Sequence, residues 1–273
     1  MRATVSCLAF GLGLMAGGAS QAASPTLVAH KAVYDLSLFS GQGTRGPDSA
    51  KGRIAYNFTG DACEGYTMSF RQVTVLEASE GEPRMSDLRS TTFEDGDGAN
   101  FKFRTEHQSA SGPAKIVDGS ADRRTGALAV AIARPKKDRL DVSADVLFPS
   151  AHMRKLIEAA QAGGSLLAVK VYDGSDDGLK VYDTLSVIGR KIEDSGRQPE
   201  EPAVKAGLDK VERWPVTVSY FTEGTGERVP VYTVSFDLFD NGIIGALKLD
   251  YGSFVLKGEM KQLDVIGGSK CQR

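Results

Sequence analysis

The chain has 273 residues, 41% of them hydrophobic and 25% charged, and a net charge of −2. That is enough apolar material for a full core. The near-neutral charge and the absence of any long Lys/Arg cluster remove the electrostatic case for nucleic acid or for an anionic membrane surface as a partner.

In chain order, Arg2 is followed by an apolar run from Val5 to Met15, then small residues, then Ser20-Gln21-Ala22 with Ala23 behind it. This is the form of a secretory signal peptide. The run is too short for a stable transmembrane helix, and no later stretch approaches about 18 unbroken apolar residues. The expected organisation is a signal peptide over 1–22 and a single exported domain over 23–273, with no integral membrane segment after cleavage. Cys7 lies inside the apolar run, without the small-residue context that a lipoprotein signal needs.

From Val28 onward the pattern has period two. Ala32, Tyr34, Leu36 and Leu38 alternate with Lys31, Asp35 and Ser37, which predicts a half-buried strand. Similar runs follow at Ile54 to Phe58, Tyr66 to Leu76, Met85 to Phe93 and Phe101 to Thr105, with shorter ones at Ala114 to Asp118 and Ala127 to Ile132. The pattern then changes. Met153, Leu156, Ile157 and Ala160 recur at i, i+3, i+4 and i+7, an apolar stripe on a helix of about 100° per residue. Ser150 is the expected N-cap and Gly163 the left-handed residue that ends the helix.

Strands resume at Leu166 to Tyr172 and Val181 to Ile188, with Asp173 to Gly178 between them as a hairpin turn. A polar excursion from Arg190 to Arg213 carries Pro199 and Pro202, with a helical turn expected near Val204 to Leu208. Alternation returns at Trp214 to Tyr220, Tyr232 to Leu238, Ile243 to Leu249 and Phe254 to Val265. Roughly a dozen strands joined mostly by short loops describe an antiparallel meander. Twist and exposed edges make so long a sheet curl. The expected fold is therefore mostly β: a meander curled into an open, spiral-like barrel around one amphipathic helix.

Chemistry-bearing residues are sparse. His30, His107 and His152 have no metal-ligand spacing, and G-x-S-x-G, H-E-x-x-H and phosphate-loop patterns are all missing. No catalytic residue, metal ligand or cofactor is assigned, although a Ser-His-Asp triad could still assemble in space. The acidic loops at Glu94 to Gly98 and Asp173 to Gly178 invite a calcium reading. Ala99 and Asn100 spoil the first, however, and Thr184 stands where the second needs a bidentate Glu. Ordinary turns account for both. Trp214 and the aromatic strand faces could line a lipid cavity, as they could any sheet core.

After signal cleavage, Cys63 and Cys271 remain. In an oxidising compartment an even pair without neighbouring ligands reads as a disulfide, two unpaired thiols being the alternative.

Ala29-His-Lys-Ala-Val-Tyr-Asp35, Tyr56-Asn-Phe-Thr-Gly-Asp-Ala-Cys-Glu-Gly-Tyr66, Thr92-Phe-Glu-Asp-Gly-Asp-Gly98, Phe148-Pro-Ser-Ala-His-Met153 and Val171-Tyr-Asp-Gly-Ser-Asp-Asp177 together resemble the EipB family of periplasmic cell-envelope integrity proteins. The resemblance implies a broken, spiral-like barrel around a central helix, similar to lipoprotein carriers. It also implies a disulfide whose cysteines correspond to Cys63 and Cys271, and a role in envelope integrity without an established enzymatic activity. The implied partners are a periplasmic helical-repeat protein of the TPR type or a lipid or lipoprotein ligand. A hydrolase acting on an envelope component is the alternative. On the helix, Arg154, Glu158 and Gln161 form a polar sector opposite the apolar stripe. Arg154 and Glu158, with Trp214, are the expected contacts at the mouth of the barrel.

Overall fold

The computed structural model describes residues 24–267 apart from 42–45, 80, 111, 194–196, 223, 225 and 227. The expected signal peptide and Cys271 lie outside the described residues.

The strands are β1 (His30–Gly41), β2 (Ser49–Asp61), β3 (Gly65–Glu77), β4 (Arg84–Glu94), β5 (Asn100–Ser109), β6 (Lys115–Arg124), β7 (Ala127–Arg134) and β8 (Asp138–Ser143). After helix α1 (Pro149–Gln161) come β9 (Leu166–Val171) and β10 (Tyr182–Ile188). Past the short helix α2 (Glu201–Lys205) and a 3-10 turn at Leu208–Lys210 follow β11 (Arg213–Phe221), β12 (Tyr232–Phe239), β13 (Ile244–Asp250) and β14 (Phe254–Val265). All fourteen belong to one antiparallel sheet in the order β8-β7-β6-β5-β4-β3-β2-β1-β14-β13-β12-β11-β10-β9. Two antiparallel meanders are thus joined where the first strand meets the last, and the sheet is not closed.

Its two free edges, β8 and β9, are nevertheless brought near each other. Four residues after Ser143, Leu147 makes a parallel bridge to Val171 at the end of β9. Four residues of chain span at most about 14 Å, so the sheet curls almost to closure there. α1 follows directly from this crossing, which is why it lies inside the curl. Leu156, Ile157 and Ala160 join the main core with Tyr34, Ile54, Val218 and Leu247 from both halves of the sheet.

A second core forms where Phe101, Phe103, Leu128 and Val130 meet Phe148, Tyr172 and Val181. Tyr172 and Val181 flank the expected hairpin turn. β9 and β10 do pair, but the segment between them is an excursion that fills this second core. Phe101 stacks on Phe148 with ring centroids 4.9 Å apart, and Tyr172 meets both Phe101 and Phe103 edge-on, the packing that aromatic rings prefer.

The polar excursion after β10 covers one end of the barrel. Ala203 and Leu208 enter the main core, and the Glu200 carboxylate accepts the backbone N–H groups of Ala246 at 2.8 Å and Met260 at 2.6 Å. Both residues sit where strand register slips, β12 against β13 and β1 against β14. Bulges leave ladder donors unpaired, and one buried-facing glutamate satisfies two of them. The helical turn itself begins three residues before the expected Val204, because Pro202 is well suited to a first helical turn.

Candidate functional site

The apolar stripe of α1 does not fill the curl. A cavity of about 300 Å³ remains between it and the sheet, at the low end of the range for small-molecule sites. Pro149, His152, Met153 and Leu156 form its helical wall. They are spaced so that one helix face carries all four. β2 and β3 contribute Ile54, Tyr56, Phe70 and Gln72, while β11 to β13 contribute Val218, Tyr220, Tyr232 and Leu249. Alternation explains why these meet: each inward position of a curled sheet points at the same enclosed space.

Polar groups punctuate the wall. His30 bonds the Val28 carbonyl through Nδ1 at 2.8 Å, and burial lowers its pKa. His152 is 5% exposed, its Nε2 is buried without a hydrogen-bond partner, and burial depresses its pKa to about 4. It is therefore neutral at pH 7. Asp173, at the end of the wall nearest the crossing segment, has its pKa raised by burial, opposed by bonds from Ser175. Among the described residues that line the cavity there is no lysine or arginine.

An aromatic run extends from the wall, where Tyr220 and Tyr232 line the cavity. Rings of Tyr182, Tyr220, Tyr232, Tyr251 and Phe254 touch in succession, with centroid separations of 5.0 to 6.0 Å. Gln72 donates to the Tyr251 hydroxyl at 3.1 Å, linking β3 to the turn between β13 and β14.

The expected mouth contacts Arg154, Glu158 and Trp214 do not line this cavity. At about 100° per residue, Arg154 and Glu158 fall roughly opposite the cavity-facing residues of α1. Arg154 lies over the Tyr66 ring, 5.5 Å from its centroid, and Glu158 pairs with Lys155 at 2.7 Å. Trp214 is buried in the main core and borders a different depression, beside Gly163 and Gly164 at the C-terminal end of the helix.

The expected N-cap is also corrected. Phe148 occupies the N-cap, Pro149 begins the helix, and no side chain of the cap residue bonds it. Glu94, the last residue of β4, takes that role from a distance: its carboxylate accepts the N–H groups of Ser150 at 2.8 Å and Ala151 at 3.1 Å. A carboxylate at a helix N-terminus answers both the free donors and the macrodipole. With proline at the first helical position, Ser150 becomes the second residue of the helix, two positions past the cap. Gly163 ends the helix at φ +74°, as the sequence predicts.

Both acidic loops use their oxygens internally. Asp95 accepts from Asn100, Asp97 from the Ala99 amide, Asp177 from the Leu179 amide, and Asp176 from Lys180 and Tyr182. Among the described residues no group of three or more His, Cys, Asp or Glu side chains is arranged to hold a metal. Of the histidines, His107 lies 2.9 Å from the Ser86 hydroxyl, on an exposed part of the sheet away from the cavity.

A family model described as EipB-like matches residues 21–267. The chain belongs to the EipB-like family. It is 36% identical over 256 residues to the cell envelope integrity protein EipB of Brucella abortus (strain 2308), covering 93% of this chain and 90% of that one. The crystal structure of a β-barrel-like protein of a domain of unknown function from Brucella abortus superposes with a TM-score of 0.82 at 35% identity, covering 89% of this chain and all of the other. The EipB-like match takes in the cavity, the crossing helix and the barrel-capping excursion alike. Sequence reasoning took Glu94 and Asp173 only as members of acidic turns and gave Glu200 and His152 no role here. Only Glu94 left a usable signal, a carboxylate ending an alternating strand at an inward position.

Proposed function

We propose that this chain is a non-enzymatic protein of the cell envelope, exported to the periplasm, that supports envelope integrity by holding an apolar ligand between α1 and the curled sheet. The carrying observation is the cavity itself, walled by the apolar face of α1 and by inward strand positions of both meanders. The name of the Brucella relative supports the envelope role. Apolar and aromatic walls with a few buried polar groups, His30 and His152 among them, suit an apolar molecule with a small polar group.

The test is complementation. In a strain lacking the gene, Val218→Trp should fold but fill the cavity, and should fail to restore detergent resistance that the wild-type gene restores. Native mass spectrometry of the wild-type protein taken from periplasm should show an added acyl mass. A folded Val218→Trp protein that complements fully overturns the reading. The helical-repeat partner implied by the family likeness is tested separately, by cross-linking in intact cells.

A further inference from the structure

The cavity also specifies what kind of ligand it accepts. We infer that it binds a neutral, single-chain acyl ester of the glyceride type, with the polar group at the His152 end and the chain running between β2–β3 and β11–β13. This rests on the cavity-binding reading above and narrows it.

Three observations carry the inference. The first is size. A cavity of about 300 Å³ stands at the low end of the range for small-molecule sites, which suits one medium-length chain better than the several chains of a phospholipid or a triacylated lipoprotein. The second is charge. The lining holds the Asp173 carboxyl and, among the described residues, no lysine or arginine to pair with an anionic head. A carboxylate or phosphate brought inside would be desolvated without a counter-charge. It would also face Asp173, whose ionisation burial already disfavours.

The third is the polar end. Leu147 bridges Val171, so the first turn of α1 and the start of the β9–β10 excursion run side by side, bringing His152 and Asp173 to the same end of the cavity. The His152 ring lines it with Nε2 unpartnered, although the residue is only 5% exposed. A buried polar atom without a partner is rare. A hydroxyl or ester group would answer it once a small turn of the ring brings Nε2 to the cavity surface, and a plain hydrocarbon would not. Along the remaining wall Ile54, Phe70, Val218, Val234 and Leu249 offer an acyl chain apolar contact, interrupted by His30, Gln72 and tyrosine rings.

The experiment compares monodecanoylglycerol with decanoate by titration calorimetry at pH 7.5, using the mature full-length protein. Three proteins are titrated: wild type, His152→Phe and Val218→Trp, each checked for fold by circular dichroism. Wild type should bind the neutral ester at least about tenfold more tightly than decanoate. His152→Phe, which keeps a ring in place but removes its nitrogens, should weaken the ester about five- to tenfold and leave the weak binding of decanoate unchanged. Val218→Trp should abolish both. If decanoate binds wild type as tightly as the ester, the neutral-ligand inference fails while cavity binding stands. If His152→Phe leaves ester affinity unchanged, the polar group is not at His152 and the inference is overturned. If wild type binds neither, both the inference and the reading beneath it fail.

Discussion

His152 directly follows the two residues whose amides Glu94 accepts, yet the two groups respond to acid in opposite directions. Burial holds His152 at about 4, below the ordinary 6.5. Between those values the unfolded chain binds the proton and the folded protein does not, so stability falls as pH falls. The full contribution is present above pH 6.5 and is lost progressively down to about pH 4. At 1.36 kcal/mol per pKa unit the loss is about 3 kcal/mol. Glu94 and Asp173 have raised pKa values, chiefly from desolvation, so the folded state holds their protons longer and tilts the profile the other way. Comparing urea midpoints of wild type and His152→Phe at pH 7 and pH 4 separates these effects. Wild type should lose about 3 kcal/mol more than the variant, and parallel losses would refute the assignment. For Glu94→Ala, two helix N–H groups lose a charged acceptor in a buried place. The expected cost is about 2 kcal/mol, seen as a lower thermal midpoint. Glu94→Gln should recover part of it, since an amide oxygen still accepts but carries no charge for the helix dipole.

Among the elements, two glycines with similar backbone angles separate conformational strain from lack of room. Gly163, which ends α1, has φ +74° and open space where a Cβ would go; Gly174, in the excursion between β9 and β10, has φ +70° with Phe103 Cγ only 2.3 Å from that position. Gly163→Ala should cost about 1–2 kcal/mol, the penalty of a left-handed L-residue. Gly174→Ala should cost more, about 3 kcal/mol, because overpacking of the second core adds to it. Equal denaturant midpoints for the two variants would contradict that core's packing. The contrast also shows what a sequence can convey about an element. Long strands were legible because burial forces alternation, as in β1, where Ala32, Tyr34 and Leu36 are buried around exposed Lys31. β8 was missed because only Leu140 and Val142 mark it. Asp173 to Gly178 looks like any polar turn, since the ring that Gly174 accommodates lies on β5, far away in sequence.

For the whole molecule, the open curl followed from strand number and twist, but the position of the empty space did not. A helical wheel shows which face of α1 is apolar; only the spacing of α1 from the sheet shows that this face borders a cavity. The polar sector of α1 is turned away from that space, with Arg154 lying over the Tyr66 ring. One further large-scale expectation can be put to the test, the bridge between Cys63 and Cys271. Phe58, His30 and Val265 are adjacent across three strands, so the C-terminal end of β14 emerges two strand spacings, roughly 10 Å, from the end of β2. Asp61 then fixes Cys63 in the following turn by accepting the amides of Cys63 and Glu64. From Val265 the chain reaches up to about 20 Å before Cys271, sufficient to return to that turn. A bond there would tie both meanders together at their shared seam, where β1 meets β14, and would restrict nearly the entire unfolded chain. Loop entropy sets an upper figure of roughly 5 kcal/mol. Cys63→Ser should therefore melt several degrees below wild type in oxidising buffer, and the difference should vanish when a reductant is added. Coincident midpoints without reductant would mean that the seam is held by its strand pairing alone.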